Sequence, residues 1–202
     1  MSGCRRLVCS IVLMLCSAAL FAQVAGQNIN MVSGTNWPAG DPYLQRQNEP
    51  SMAVSSRNPE HLLGGANDYR TVDIPNPNAP NILGDAWLGV YTSMDGGETW
   101  KSTLLPGYPQ DTSTAGMASP LHAFTVATDA TVRAGTHGLF YYSGLAFNRG
   151  SSSPSGVFVA TFQDLNNKGN GDAAYLQSNT NGTTHGNPFS YVGVNFVDTG
   201  TS

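Results

Sequence analysis

From Asn48 onward the chain alternates short apolar runs with clusters of Gly, Pro, Asn and Asp. Runs of this length, rich in β-branched and aromatic residues and bounded by turn residues, predict strands. The first two cover residues 51–54 and 61–66, joined by the turn Arg57-Asn58-Pro59-Glu60. The stretch Ile74-Pro75-Asn76-Pro77-Asn78-Ala79-Pro80 is excluded from any central strand, because successive prolines have no N–H to give to a ladder. A third run follows at 86–93 and a fourth begins at Lys101. Residues 27–47 are polar, without sustained periodicity, and read as a lead-in.

The layout returns further on. Glu49-Pro50-Ser51-Met52 is echoed by Asp129-Ala130-Thr131-Val132, and the run at 61–66 by Gly138 to Gly144. Gly89-Val90-Tyr91 is matched with Gly156-Val157-Phe158. Repeated units of a few short strands cannot bury their own faces and must lean on neighbours, which points to a propeller or another repeat architecture. The fold class expected is all-β.

The first residues are read differently. Arg5 and Arg6 precede an apolar run at 7–21, followed by the small residues Ala22, Ala25 and Gly26. That order predicts a secretory signal peptide over 1–26, cleaved after Ala22 or Gly26, and a run too short to span a bilayer. No membrane span is expected after cleavage, and the localisation expected is secreted, periplasmic or cell-envelope. All three cysteines, Cys4, Cys9 and Cys16, lie in this leader, so no disulfide is expected in the exported part. Bulky Leu15 before Cys16 argues against lipidation. With 9 Lys+Arg against 13 Asp+Glu, the chain is mildly acidic and lacks the basic patch that phosphate binding needs, which excludes nucleic acid as a partner.

The most specific string is Ser93-Met94-Asp95-Gly96-Gly97-Glu98-Thr99-Trp100, placed between two strand runs. Its Ser and Asp side chains can accept from turn N–H groups, its glycines allow positive φ, and its Trp can fold back as an apolar plug. The string resembles the Asp-box, Ser-x-Asp-x-Gly-x-x-Trp, of the sialidase-like (BNR-repeat) β-propellers, with Ser93, Asp95, Gly97 and Trp100 at the four defining positions. The stretch from Asn48-Glu49-Pro50-Ser51 through Gly65-Ala66-Asn67-Asp68-Tyr69-Arg70 is similar to the first blade of secreted bacterial exo-α-sialidase-like proteins. The resemblance covers residues 48 to about 165. It implies a partial propeller of about two to three four-stranded antiparallel blades, the first about 48–110 and the second about 120–202, belonging to the N-terminal part of a longer protein. It also implies that the Asp-box is a structural turn between the third and fourth strands of a blade.

Sialidases hold a substrate carboxylate with three arginines and use a Tyr–Glu pair and an Asp. Here the arginines past the leader are Arg46, Arg57, Arg70, Arg133 and Arg149, and the Phe/Tyr-Arg-Ile-Pro motif is absent, so no catalytic residue is assigned. The candidate substrate contacts are Glu49, Asp129 and Arg133, on strands expected to line a central channel, and the pair Asp68 and Arg70. Tyr141 and Tyr142 are read as strand residues. His61, His122, His137 and His185 have no metal-ligand spacing, and Asp164-Leu165-Asn166-Asn167-Lys168-Gly169 departs from a calcium loop at Lys168 and Tyr175. No metal or cofactor is expected. Asn181-Gly182-Thr183 has the glycan-acceptor pattern of a eukaryotic secretory pathway. The function expected is recognition of a glycan or extracellular protein ligand, with a part of an exo-α-sialidase and an envelope scaffold as alternatives.

Overall fold

A computed structural model describes residues 28–32, 47–72, 75–76, 79–165 and 189–201. The predicted signal peptide, its cysteines, most of the lead-in, the calcium-like string beyond Leu165, Asn181 and His185 lie outside the described residues.

The predicted runs fold as strands and the predicted turns as hairpins. Strand β1 (Gln47–Val54) pairs antiparallel with β2 (Leu62–Asp68). The proline-rich stretch makes a separate two-stranded hairpin, β3 (Pro75–Asn76) with β4 (Ala79–Leu83), set off from the main ladder where proline's missing donors do no harm. Strand β5 (Trp87–Ser93) then pairs with β2, and β6 (Lys101–Leu104) with β5, giving a first sheet of order β1-β2-β5-β6. A short helix α1 (Thr114–Met117) and a 3-10 turn (Pro120–Ala123), capped by the hydroxyls of Ser113 and Ser119, lead to the second sheet. Strands β7 (Val126–Ala134), β8 (Leu139–Phe147), β9 (Pro154–Asp164) and β10 (Phe189–Thr201) form it as an antiparallel meander of order β10-β9-β8-β7. The protein is thus all-β in its main elements, with two four-stranded antiparallel sheets.

The first three strands of the two sheets correspond residue by residue. Each first strand carries one bulge, between Asn48 and Ser51 in β1 and between Thr128 and Thr131 in β7. Inside each bulge an acidic residue adopts positive φ, Glu49 at 53° and Asp129 at 64°. Each first hairpin closes with the same backbone bond, Ser55 N–H to the His61 carbonyl and Gly135 N–H to the Leu139 carbonyl. Following the ladders outward makes Ser51 equivalent to Thr131, Gly65 to Ser143 and Val90 to Val159. The third echo read from the sequence therefore shifts by two residues: Gly89 corresponds to Phe158, not Gly156. Strand pairing, not local similarity, decides the register, because each residue's face follows from its ladder partner.

The sheets pack face to face around one apolar core. Leu63, Leu88 and Val90 of the first sheet meet Val132, Phe140, Tyr142, Phe158 and Phe162 of the second. Tyr142 crosses the interface: its ring lies against Gly65, where an added Cβ would sit 2.6 Å from the ring, and its hydroxyl donates to the Gly89 carbonyl at 2.8 Å. Complete burial pushes the Tyr142 phenol well above its usual pKa, with the nearby Asp68 carboxylate adding to the rise, so it stays a neutral donor.

Candidate functional site

The two bulges sit side by side. Asn67 on β2 joins them: its Nδ2 donates to Glu49 Oε2 at 3.0 Å, and its Oδ1 accepts the Asp129 backbone N–H at 2.8 Å. Two residues past Glu49, the Ser51 hydroxyl accepts the Val132 N–H at 2.9 Å. The amide of Asn67 is buried, whereas both acidic residues are exposed. Positive φ on a non-glycine residue costs energy and bulges re-aim side chains, a combination that recurs at binding sites. Beside the Glu49 bulge lies a cavity of about 180 Å³ whose walls include Asn48, Pro50, Ala66 and Tyr91. Asn67 was not a candidate from the sequence. It stands between Ala66 and Asp68 near the end of the strand, and only the bulged register shows what its amide serves.

The other predicted contacts fall elsewhere. Arg133 is exposed on β7, and its Nη1 donates to the Val132 carbonyl at 2.8 Å. Four residues past Asp129, it lies on the order of 13 Å along the strand. Asp68 and Arg70 are 0 % and 1 % exposed. The guanidinium pairs with the Asp68 carboxylate at 2.8 Å and also donates to Ser102 Oγ and the Thr103 carbonyl, at 3.3 and 2.9 Å. Tyr91 adds its hydroxyl to Asp68 at 2.7 Å. A group so enclosed is out of reach of a ligand, so the pair locks the end of β2 to β5 and β6 and is withdrawn from the candidate contacts.

A second buried polar cluster ties the sheets at the opposite end of β2. Asp164, closing β9, accepts from Ser55 Oγ at 2.6 Å and lies 3.0 Å from His61 Nδ1, while Arg57 donates to its backbone carbonyl at 3.0 Å. Asn58 Oδ1 accepts the Glu60 N–H, so its Nδ2 is the group facing His61 Nε2 at 3.1 Å. The imidazole therefore accepts at Nε2 and donates at Nδ1. Ser, His and Asp converge, yet His61 faces Asn58 rather than the serine, so the geometry is that of a structural tie and not of a nucleophile and its base.

Ser93 to Trp100 form the turn between β5 and β6, the third and fourth strands of the first sheet. Ser93 Oγ donates to Asp95 Oδ1 and accepts from Gly97 N–H at 2.9 Å; Asp95 accepts from the N–H and hydroxyl of Thr99 at 2.9 and 2.5 Å. Gly96 and Gly97 hold φ of 73° and 97°, and Trp100 folds back to donate its Nε1–H to the Gly97 carbonyl at 3.0 Å. No protein-family model matches this chain, and no curated protein or solved structure does. Among the described residues there is no group of three or more His, Cys, Asp or Glu placed to hold a metal ion, and no helix is long and apolar enough to cross a membrane.

The turn makes a pH-dependent contribution to stability. Burial alone would raise the Asp95 pKa, but the bonds from Thr99, Ser93 and the Glu98 backbone outweigh it and hold the carboxyl below its ordinary value. A folded-state pKa below the unfolded one stabilises while the group is ionised, so this contribution is complete above about pH 5 and is lost as pH falls below about 4 and through the lowered folded-state pKa. Asp95→Asn is expected to cost about 1 kcal/mol near neutrality. Thermal midpoints of variant and wild type should converge on acidification; a constant gap down to low pH would contradict the assignment.

Proposed function

We propose that the chain forms two consecutive units of a sialidase-like β-propeller and recognises a glycan or a protein ligand outside the cytoplasm, with Glu49 and Asp129 as its contacts. The reading rests on one observation above the rest: two four-stranded meanders whose first hairpins carry the same bulge, stacked so that the same face of each is used in turn. Leu63, Gly65, Leu88 and Val90 face the second sheet, and their equivalents Tyr141, Ser143, Val157 and Val159 lie on that sheet's far side. There Tyr141 is 43 % and Val157 41 % exposed, an apolar surface of the kind one unit of a repeat offers the next. The position of the Ser93–Trp100 turn, between third and fourth strands, agrees with the Asp-box placement that the resemblance implies.

The chemistry of the bulges narrows the ligand. Two exposed carboxylates on neighbouring strands accept hydrogen bonds from hydroxyls and repel an anion. Among the described residues no three guanidinium groups converge: Arg70 is buried on Asp68, Arg57 bonds Asp164, Arg133 bonds Val132 and Arg149 pairs with Asp85. A neutral, hydroxyl-rich glycan therefore fits better than a sialoside, and binding fits better than hydrolysis. On a glycan array the protein should be retained by neutral glycans, with no turnover of a sialoside reporter. The double variant Glu49→Gln/Asp129→Asn should weaken retention about tenfold while leaving the thermal midpoint nearly unchanged, since Asn tolerates the left-handed conformation. An empty array would end the glycan reading, and binding indifferent to these substitutions would remove Glu49 and Asp129 as the contacts.

A further inference from the structure

Among the described residues, the two faces that meet between the sheets recur on the far sides of the same two sheets. The far face of the second sheet carries Thr131, Tyr141, Leu145 and Val157 in the places of Ser51, Leu63, Asn67 and Leu88. The far face of the first sheet carries Met52, Gly64 and Ala66 in the places of Val132, Tyr142 and Gly144. On that face, residues 28–32 rest against the middle strands: Val32 is buried with Ala66 and Tyr91, and a Cβ at Gly64 would lie 2.8 Å from Met31 Cε. Met52, toward the edge, remains 53 % exposed.

We propose that a second copy of this chain docks head to tail, the far face of its second sheet on the far face of the first sheet, with residues 28–32 acting as a displaceable cap. The inference rests on the repeat reading above. The interface it adds continues one that already exists within the chain, and both halves of it are carried by the same molecule, so the contact is heterologous rather than two-fold. The hydroxyl and the apolar surface carry over, whereas Leu145 stands in the place of Asn67, and Ser143 and Gly64 in the places of Gly65 and Tyr142. Thr131 brings a hydroxyl to the position from which Ser51 accepts the Val132 N–H, now opposite Met52. Leu145 and Val157 bring apolar surface, and between them a groove of about 350 Å³, bounded also by Phe147 and Asp198, indents the docking face. Capping of an outer repeat is what keeps such stacks from growing, and Val32, buried with Ala66 and Tyr91, already covers part of the first sheet's apolar far face.

Sedimentation velocity on the full chain over a dilution series tests this. The cap variant Met31→Ser/Val32→Ser should associate about tenfold more tightly than wild type and should grow beyond the dimer. In that background Val157→Asp blocks one face and Met52→Asp the other, so each should be monomeric alone while their equimolar mixture forms a 1:1 dimer and stops. A cap variant that keeps its circular dichroism yet stays monomeric, a blocked variant that still associates, or a mixture that stays monomeric would each overturn the proposal. If the double cap variant does not fold, Met31→Ser alone is read in its place by the same criteria. Leu63→Asp, at the interface within the chain, separates the two levels: if it unfolds the protein while the cap variant is monomeric, the docking falls and the repeat stands; if it is tolerated, the repeat reading itself falls.

Discussion

Replacing Arg70 with alanine is expected to destabilise the protein by about 3–5 kcal/mol, because it leaves the Asp68 carboxylate buried without its counter-charge. Both side chains are excluded from solvent, and the arrangement around them is complete: Arg70 Nε reaches both Asp68 oxygens at 2.9 and 3.0 Å, and the Tyr91 hydroxyl caps Oδ2. The Arg70→Lys variant keeps the charge but lacks the planar fork that serves Asp68, Ser102 and the Thr103 carbonyl together, so it should recover only a minor part. Chemical denaturation curves for the three proteins give the comparison. A cost below about 1 kcal/mol for Arg70→Ala would mean that water reaches the Asp68 carboxylate, and the pair would return to the list of ligand contacts.

The second large effect is expected at Gly65. A methyl group there would enter the Tyr142 ring at 2.6 Å, and the ring cannot swing aside, being fully buried with its hydroxyl held by the Gly89 carbonyl. Gly65→Ala should therefore cost about 1–3 kcal/mol as an overpacked interface. The same substitution in a Tyr142→Leu background should cost much less, giving a coupling energy that identifies the ring as the obstacle. Equal costs in both backgrounds would place the strain within the first sheet instead of between the sheets.

These two sites show where sequence reasoning reaches and where it stops. Strands β1, β2 and β5 were legible because apolar runs bounded by Asn, Pro and Gly leave few alternatives, and the Ser93–Trp100 turn was legible because its bonds are local. The pairing of Glu49 with Asp129 as matching positions was also visible, through the flanking Pro50-Ser51 and Ala130-Thr131. Asp68 and Arg70 read in the sequence as a pair of candidate substrate contacts, and only Tyr91, Ser102 and Thr103, brought in by β5 and β6, enclose them. Asp164 draws notice in the sequence only as the first residue of a string that departs from a calcium loop, yet its partners Ser55 and His61 lie more than a hundred residues earlier. Long-range closure of this kind leaves no periodic trace. The lead-in shows the same limit: a polar stretch without periodicity still places Val32 and Met31 on a sheet face.

The stacking of the first sheet on the second is the central claim, and the protons at Gly65 report on it most directly. In a nuclear Overhauser spectrum the Gly65 Hα protons should show cross-peaks to the Tyr142 ring and an upfield ring-current shift that disappears in Tyr142→Leu. Ordinary Gly65 shifts with no such cross-peaks, in a protein whose two sheets are otherwise intact, would contradict the arrangement described above.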